Sequence, residues 1–283
     1  MSNFGSSYIG WDTDSHFKEF DFWNKRCDLD FNYAYGCFSE QQYLLESTKI
    51  IENPEIVDIG SATGTTYRFL RNKIGSSGFS YKGIDLSMPA IERARGLYPE
   101  VNFLKSNGES LHEILRSKSD IVYSRDTVLH QESPYEFLDQ LLEITERFLI
   151  IRLRTRDHGD TEFDISKSCQ MHYEAFWMPY IVLNIEELIA HIKKNKNVIK
   201  IKINRSYEVL GGHNNRFLPK DLYFKKTRTA ETSMMIELDS SKQDGDIELI
   251  YDDKIQGHQL IKRNRWGYKN VIFRLISKLV NKQ

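Results

Sequence analysis

The chain has 283 residues, of which 40% are hydrophobic and 28% are charged, and its formal net charge is −1. This length and composition are typical of one large globular domain with its own core, or of such a domain with a small appendage. The near-neutral charge excludes a generic polyanion binder, although it leaves room for a local basic patch.

Cysteines and apolar stretches exclude further classes of protein. The three cysteines, Cys27, Cys37 and Cys169, are too few and too scattered for a disulfide framework or a thiolate zinc site. No apolar stretch approaches the roughly 20 residues that a membrane span needs. Residues 1–14 lack the basic and apolar pattern of a secretory signal, so we expect a reducing, cytoplasmic setting.

Short apolar runs alternate with amphipathic stretches along most of the chain. The pattern predicts strands at Glu55–Ile59, 79–85, 101–105, 120–124, 148–153, 198–204 and 232–238. It predicts helices from residue 39 onward and at 65–73, 88–97, 111–116, 136–147 and 185–194. Such alternation is typical of an α/β fold, and we predict seven strands in a mostly parallel sheet with helices on both faces.

Three segments are distinguished by composition. Residues 1–39 are rich in aromatic and acidic side chains, which favours an N-terminal cap, and residues 40–253 form the main domain. The segment 157–183 interrupts the alternation and is typical of a lid or an acceptor pocket. Residues 254–283 carry eight Lys or Arg and no acid, and their apolar positions share one helical face. That helix would pack on the domain or on a second subunit, or lie on an anionic membrane surface.

The most informative segment is DIGSATG, which runs from Asp58 to Gly64 after a buried strand. Gly60 permits a tight turn, and Gly64 lets the next helix begin close to the strand. The amides that follow can then surround a ligand at the helix N-terminus, while Asp58 holds the turn amides or attracts a cationic group. A glycine turn after a strand also occurs in dinucleotide-binding folds, and elsewhere it serves only as a turn.

A second candidate ligand contact is Asp85, which ends the next strand roughly 20 residues beyond the glycine turn. This is the spacing expected of a carboxylate that binds ribose hydroxyls. The alternative is that Asp85 caps the helix that begins near Ser87.

Four stretches, VDIGSATGTTYRFL, GIDLSMPAIERAR, VNFLKSNGES and DIVYSRDTVLHQ, resemble the class I S-adenosylmethionine-dependent methyltransferases in their order and spacing. The likeness covers roughly residues 40–150 and weakens towards about residue 205. It implies a Rossmann-like, doubly wound fold, S-adenosylmethionine as the cofactor and methyl transfer as the activity. Similar enzymes act on small molecules or in bacterial surface polysaccharide pathways.

The resemblance also implies roles for individual residues. The methionine side of the cofactor would contact the loop formed by Asp58, Gly60, Ser61, Ala62 and Gly64. The adenosine side would contact Asp85 through the ribose, Leu86 through adenine, and the pocket lined by Asn107, Gly108 and Glu109. Ser124 and Arg125 would lie beside the methionine moiety. Ala62 replaces the middle glycine of the family loop, which argues against a dinucleotide, because a pyrophosphate needs that close backbone approach.

Two residues after the fourth strand are candidate general bases for methyl transfer. Alignment of acceptor and methyl group supplies most of the acceleration of such an in-line displacement, about 7–11 kcal/mol. A base is needed only where an acceptor hydroxyl must lose a proton. His130 is one candidate and Asp126 is the other, and His130 alternatively caps the local turn.

Arginines alternate along the fifth strand at Arg152, Arg154 and Arg156, so all three lie on one side of it. Parallel strands are normally apolar on both faces, and these cations therefore need partners. Arg154 and Arg156 would clamp a phosphate or carboxylate of the acceptor, with Arg125 adding to the anion site. The alternative is ion pairing with acids such as Asp157, Asp160 or Glu162.

The leading functional hypothesis is O-methylation of a small or glycan-type anionic acceptor, such as a phosphorylated or nucleotide-linked sugar. The alternatives are N-methylation of a small molecule and a non-catalytic S-adenosylmethionine-binding regulator. A nucleic-acid methyltransferase is disfavoured by the near-neutral charge and by the absence of an Asn/Asp-Pro-Pro-aromatic motif. The sequence contains no metal-binding motif of useful specificity, and we expect no metal.

Overall fold

The structure is a computed structural model that describes residues 38–106, 110–165, 167–172, 176–207, 216–217, 228–242 and 245–252. The predicted cap at 1–39, apart from its last two residues, and the predicted helix at 254–283 lie outside the described residues. None of the helices in the described part is long and apolar enough to cross a membrane.

The first part of the described chain alternates helices and strands. In order these are α1 (Ser39–Ile50), β1 (Glu55–Ile59), α2 (Thr65–Ile74), β2 (Ser80–Asp85), α3 (Met88–Leu97), β3 (Asn102–Lys105), α4 (Leu111–Leu115) and β4 (Ser119–Arg125). A single 3₁₀ turn at Val128–His130 follows, and then come α5 (Pro134–Glu143) and β5 (Thr145–Arg156).

The second part contains shorter elements. They are β6 (Cys169–His172), β7 (Phe176–Pro179), β8 (Leu183–Asn184), α6 (Ile185–Ile192), β9 (Val198–Tyr207), β10 (Arg216–Phe217), β11 (Ala230–Leu238) and β12 (Glu248–Tyr251). Strands β6, β7 and β10 form a small separate sheet in the order β10-β6-β7. The segment predicted as an insertion at 157–183 therefore supplies two strands of this small sheet.

The main sheet of the described chain has the order β12-β9-β11-β5-β4-β1-β2-β3, and β8 pairs with β5. Strands β1 to β5 are all parallel to one another, whereas β11 is antiparallel to both β5 and β9. The predicted α/β fold with a mostly parallel sheet is confirmed. The predicted number of seven strands is corrected to nine. The two strands that were not predicted are β8, which has only two residues, and β12, a half-exposed edge strand with little apolar pattern.

Helices cover both faces of the sheet, and each face has its own apolar cluster. On one face, Tyr43 of α1 and Phe69 of α2 pack with Phe148 of β5. On the other face, Leu138 of α5 and Leu188 of α6 pack with strand residues. Both clusters fill the faces of the sheet with buried side chains. A ligand is therefore expected at the sheet edge where β1, β2, β4 and β5 end.

The boundary between α5 and β5 differs from the predicted helix at 136–147. The helix ends at Glu143, and β5 begins at Thr145, whose buried hydroxyl donates to the Leu141 carbonyl at 2.6 Å. Arg147 then pairs with Glu237 of the neighbouring strand β11 at 2.7 Å. The helical periodicity of 144–147 is outweighed by this pairing across the sheet.

Candidate functional site

The turn after β1 contains three residues in the left-handed backbone region. The φ angles are +81° at Gly60, +47° at Ala62 and +79° at Gly64. The amides of Gly60 and Ser61 both donate to the Ile84 carbonyl, at 2.8 and 3.1 Å. Strand β2 thereby fixes the shape of the turn at the edge of the sheet where ligands bind in this type of fold.

The two glycines of the turn are also required by their neighbours. A Cβ at Gly60 would collide with the Thr127 hydroxyl, and one at Gly64 would lie 2.8 Å from the Phe103 ring. Thr127 belongs to the loop after β4 and was not among the residues that the sequence suggested. Its contact brings that loop directly against the glycine turn.

Asp85 joins the glycine turn to the start of α3. One carboxylate oxygen accepts from the Ala62 amide at 2.8 Å, and the other accepts from the Ser87 amide at 2.8 Å. Ser87 is itself the N-cap of α3, since its hydroxyl accepts from the Ala90 amide. Asp85 and the adjacent Leu86 are both half-buried, so each has a surface that a ligand can reach.

Asp58 lies beneath the turn, with 1% of its surface exposed. Burial raises the pKa of this carboxyl to about 6, although hydrogen bonds from Tyr81 and Thr66 oppose the shift. The Tyr81 hydroxyl donates to Asp58 Oδ2 at 2.5 Å. Sequence reasoning missed Tyr81, whose position on β2 only the strand register brings beside Asp58.

Two buried hydroxyls at this edge have no hydrogen-bond partner among the described residues. They belong to Ser61 in the turn and to Ser124, which pairs with Ile59 across β4 and β1. A buried hydroxyl without a partner is costly, and a polar ligand at the edge would satisfy both groups. These orphaned groups, together with Asp85, fit a ligand with a polar amino-acid end and a ribose. Asn107, Gly108 and Glu109 lie outside the described residues.

Arg152 and Arg154 of β5 are bound to acids of this chain. Arg152 contacts both oxygens of Asp126, by Nε at 3.1 Å and by Nη2, and its Nη1 is 3.2 Å from Glu40. Arg154 contacts Asp126 at 2.9 Å and Glu231 at 3.0 Å. Ion pairing, which the sequence left open, is therefore present, but the acids are not the predicted Asp157, Asp160 and Glu162.

Arg125 enters the same buried network from the end of β4. Its Nε lies 3.3 Å from Glu40, and its guanidinium is 4.9 Å from the centre of the Phe38 ring. Glu40 is fully buried and also accepts from the Ser233 hydroxyl at 3.2 Å. We call Arg125, Arg152, Arg154, Glu40, Asp126 and Glu231 the buried ion network; its three cations match its three anions.

The environment of Asp126 disfavours the general-base role considered for it. Burial alone would raise the pKa of Asp126, but the attraction of Arg152 and Arg154 outweighs it and holds the pKa well below the usual range. A carboxylate with such a low pKa is a weak proton acceptor. Its backbone φ of +57° turns the chain from β4 into the loop that carries Thr127 and His130.

His130 occupies the last position of the 3₁₀ turn after β4. Its Nδ1 lies 2.8 Å from the Pro179 carbonyl, and its ring centre is 5.8 Å from that of Tyr180. Because a carbonyl only accepts, Nδ1 carries the proton, and the neutral imidazole has its lone pair on Nε2. The segment of the predicted insertion thus fixes the tautomer of this histidine.

Residues 57–147 match the model of the methyltransferase-domain family. This match is consistent with a class I S-adenosylmethionine-dependent methyltransferase. The strand order, with an antiparallel β11 next to β5, agrees with this assignment. S-adenosylmethionine is the cofactor, and the glycine turn, Asp85 and the two orphaned hydroxyls are the described groups that fit it.

Solved structures that the methyltransferase resembles support the fold. The plantazolicin methyltransferase BamL, in complex with a triazolic desmethylPZN analog and S-adenosylhomocysteine, is 16% identical, with a TM-score of 0.50 over 81% of this chain and 92% of that one. Phosphoethanolamine N-methyltransferase 2 of Haemonchus contortus is 14% identical, with a TM-score of 0.51 over 78% of this chain and 60% of that one. A comparison with curated protein sequences gave no match.

Proposed function

We propose that the methyltransferase transfers the methyl group to a hydroxyl of a small or glycan-type acceptor that carries an anionic group. A phosphorylated or nucleotide-linked sugar of surface polysaccharide biosynthesis has this chemistry. The observation that carries the proposal is the hydrogen bond between His130 Nδ1 and the Pro179 carbonyl. It leaves the lone pair of a neutral imidazole on Nε2, the atom able to take a hydroxyl proton.

Two parts of the sheet edge would have separate roles in the reaction: one would bind the cofactor and the other would carry the base. When bound, S-adenosylmethionine supplies a methyl group on a sulfonium that is a good leaving group. The turn from Gly60 to Gly64 and the Asp85 carboxylate would hold the cofactor, and Ser124 and Arg125 would border its methionine end. The loop after β4 lies against the glycine turn at Thr127, and this proximity of the His130 loop to the turn supports the proposal.

The buried ion network would act as a positioning device. Asp126, at the first residue of this loop, is bound by Arg152 and Arg154, and its amide also donates to the Arg152 carbonyl at 2.8 Å. These bonds restrain the loop without a direct role for the acid in proton transfer. Preorganisation of this kind keeps acceptor and methyl group in the aligned geometry that the displacement needs.

Transfer of a labelled methyl group into extracts of the source cells, followed by identification of the product, tests the proposal. We expect a labelled O-methyl product, and we expect His130→Ala to slow its formation by about 100-fold or more, the usual contribution of a general base. His191→Ala is the matched control, because His191 stacks on Tyr135 and bonds to Asp139 of α5, outside the loop after β4. It should leave the rate within twofold.

The outcomes separate the alternative functions. A labelled N-methyl product with an unchanged rate for His130→Ala would replace the proposal by N-methylation, since an amine lone pair needs little help from a base. Binding of S-adenosylhomocysteine without methyl transfer to any fraction would instead indicate a regulator that binds the cofactor.

A further inference from the structure

A second group of charged residues lies at the same sheet edge, beyond the buried ion network. Arg205 and Tyr207 are at the end of β9, Arg228 precedes β11, and Asp157 follows β5. We call these four residues the Arg205 cluster. Both arginines contact the one carboxylate of Asp157, Arg205 through Nη1 and Arg228 through Nε at 3.3 Å.

The charges of the Arg205 cluster do not balance. In the described part of the chain, Asp157 is the carboxylate that forms ion pairs with Arg205 and Arg228, so two cations share one anion. The buried ion network differs, because there three arginines form ion pairs with three acids. Among the described residues, the Arg205 cluster therefore carries a formal charge of +1, which favours an anionic ligand.

The cluster is built to hold its guanidinium groups in place. The Tyr207 ring is close to both, with its centre 5.0 Å from the Arg205 guanidinium and 4.9 Å from that of Arg228. The Tyr207 hydroxyl donates to Asp157 at 3.2 Å, and Arg205 also donates to the Thr155 hydroxyl at 2.9 Å. Arg228 is 59% exposed, so a ligand can reach this side chain, whose guanidinium offers several N–H donors.

The distance from the cofactor loop limits which part of an acceptor reaches the cluster. Strands β4, β5, β11 and β9 are successive neighbours in the sheet. Adjacent strands are about 4.8 Å apart, so β9 lies roughly 14 Å from β4 and roughly 19 Å from β1. An anion held by the cluster would therefore belong to the far end of an elongated acceptor, away from the atom that is methylated.

We propose that Arg228 and Arg205 bind a phosphoryl group at the distal end of the acceptor, with the Tyr207 ring keeping the two guanidinium groups aligned. This inference rests on the proposed function, because it assigns the anion-recognition residues of the same acceptor site. A guanidinium fork matches phosphate oxygens in a bidentate manner and is the preferred donor for them. The assignment moves anion recognition from Arg154 and Arg156 to the neighbouring strands.

The test is calorimetric titration of inorganic pyrophosphate into the full chain saturated with S-adenosylhomocysteine, which keeps the probe out of the cofactor site. We expect saturable binding that Arg228→Gln weakens about tenfold, the usual effect of one charge-assisted hydrogen-bonding group. Arg228→Lys keeps the charge without the guanidinium fork, and its affinity for pyrophosphate should lie between those of the unaltered chain and Arg228→Gln. Arg71→Gln is the matched control, because Arg71 also pairs with an acid, Glu100, and lies over a tyrosine ring, that of Tyr98.

Two results would overturn the inference: no saturable binding of pyrophosphate by the unaltered chain, or equal weakening by Arg228→Gln and Arg71→Gln. Binding of S-adenosylhomocysteine, measured first in the same samples, reports on the cofactor site separately. If that binding is intact while pyrophosphate affinity ignores Arg228, this inference fails and the proposed methyl transfer stands. Loss of cofactor binding in the unaltered chain would instead contradict the proposed function.

Discussion

The Glu40 carboxylate in the first turn of α1 lies 3.2 Å from the Arg152 guanidinium on β5, although the two residues are 112 positions apart in the chain. Glu40 has a side-chain exposure of 1% and Arg152 has 6%. This pair fastens α1 to the sheet directly beside the loop that follows β4. The helix that begins the described chain is thereby coupled to the functional edge.

Glu40→Gln removes the charge of this buried carboxylate while keeping the shape of the side chain. Arg125 and Arg152 would each lose a partner inside the protein, where they have little water to replace it. We expect the free energy of unfolding in urea to fall by about 3 kcal/mol, as for other broken buried pairs. Equal losses of stability in Glu40→Gln and Glu46→Gln would contradict the importance of the buried ion network.

The control for this prediction is Glu46→Gln in the same helix. Glu46 pairs with Lys202, but its side chain is 42% exposed. Solvent screens such a pair, and the expected loss is under about 1 kcal/mol. The comparison therefore isolates burial, because both variants neutralise a glutamate of α1 that faces a cation.

Asp85→Ala tests the link between the glycine turn and the cofactor. The variant removes the acceptor for the Ala62 and Ser87 amides and the carboxylate expected to bind the ribose hydroxyls. We expect the affinity for S-adenosylhomocysteine, measured by calorimetry, to fall at least about tenfold. Asp120→Ala is the control: Asp120 also accepts from a backbone amide, that of Glu55, but at the opposite end of the strands. Unchanged affinity in Asp85→Ala would remove this residue from the site.

Local patterns in the sequence were sufficient to predict most of the elements. The helix at 88–97 and the strand at Glu55–Ile59 agree with the structure at both ends, because each has a clear period and a defined terminus. The turn from Gly60 to Gly64 was predictable for the same reason, since its glycines follow a buried strand. The α5–β5 boundary was not, because Thr145 and Arg147 are fixed by contacts across the sheet.

The partners of the site residues were harder to predict than the residues themselves. The sequence showed that Arg152 and Arg154 needed partners, but it suggested acids that are close in the chain. The actual partners include Glu40 and Glu231, which only the packing of α1 and the pairing of β11 bring near. Long-range pairing of this type leaves no local signal in a single sequence. The same holds for Tyr81 beside Asp58.

Ala62→Gly tests the strain in the glycine turn. Ala62 has a φ of +47°, a region that costs a residue with a Cβ about 1–2 kcal/mol. Glycine removes this cost but gains freedom in the unfolded chain, an offset of about 0.4–1 kcal/mol. We expect the free energy of unfolding in urea to stay equal or to rise by up to about 1 kcal/mol.

Alanine-to-glycine substitution at Ala94 should instead lower the free energy of unfolding. Ala94 is buried inside α3, where glycine costs about 1 kcal/mol in helix propensity alone. Loss of the buried methyl group adds to that cost. A clear loss of stability in Ala62→Gly would show that the left-handed turn is not strained by alanine.

Asp58 predicts a specific dependence of stability on pH. Its pKa in the folded protein is about 6, above its ordinary value of 3.8, so the folded state binds a proton more tightly than the unfolded chain does. A carboxyl of this kind stabilises the fold most below pH 3.8, and the contribution is lost as the pH rises through about 6. Asp58→Asn carries no titrating group at this position and is therefore the reference for the measurement.

The free energy of unfolding of the unaltered chain, minus that of Asp58→Asn, should fall by about 2 kcal/mol between pH 4.5 and pH 7.5. Subtracting the variant cancels the other carboxyls, including Asp126, whose lowered pKa acts in the opposite direction. A difference that is flat across this range, or that rises with pH, would show that Asp58 is not held in the buried, proton-retaining state beneath the glycine turn.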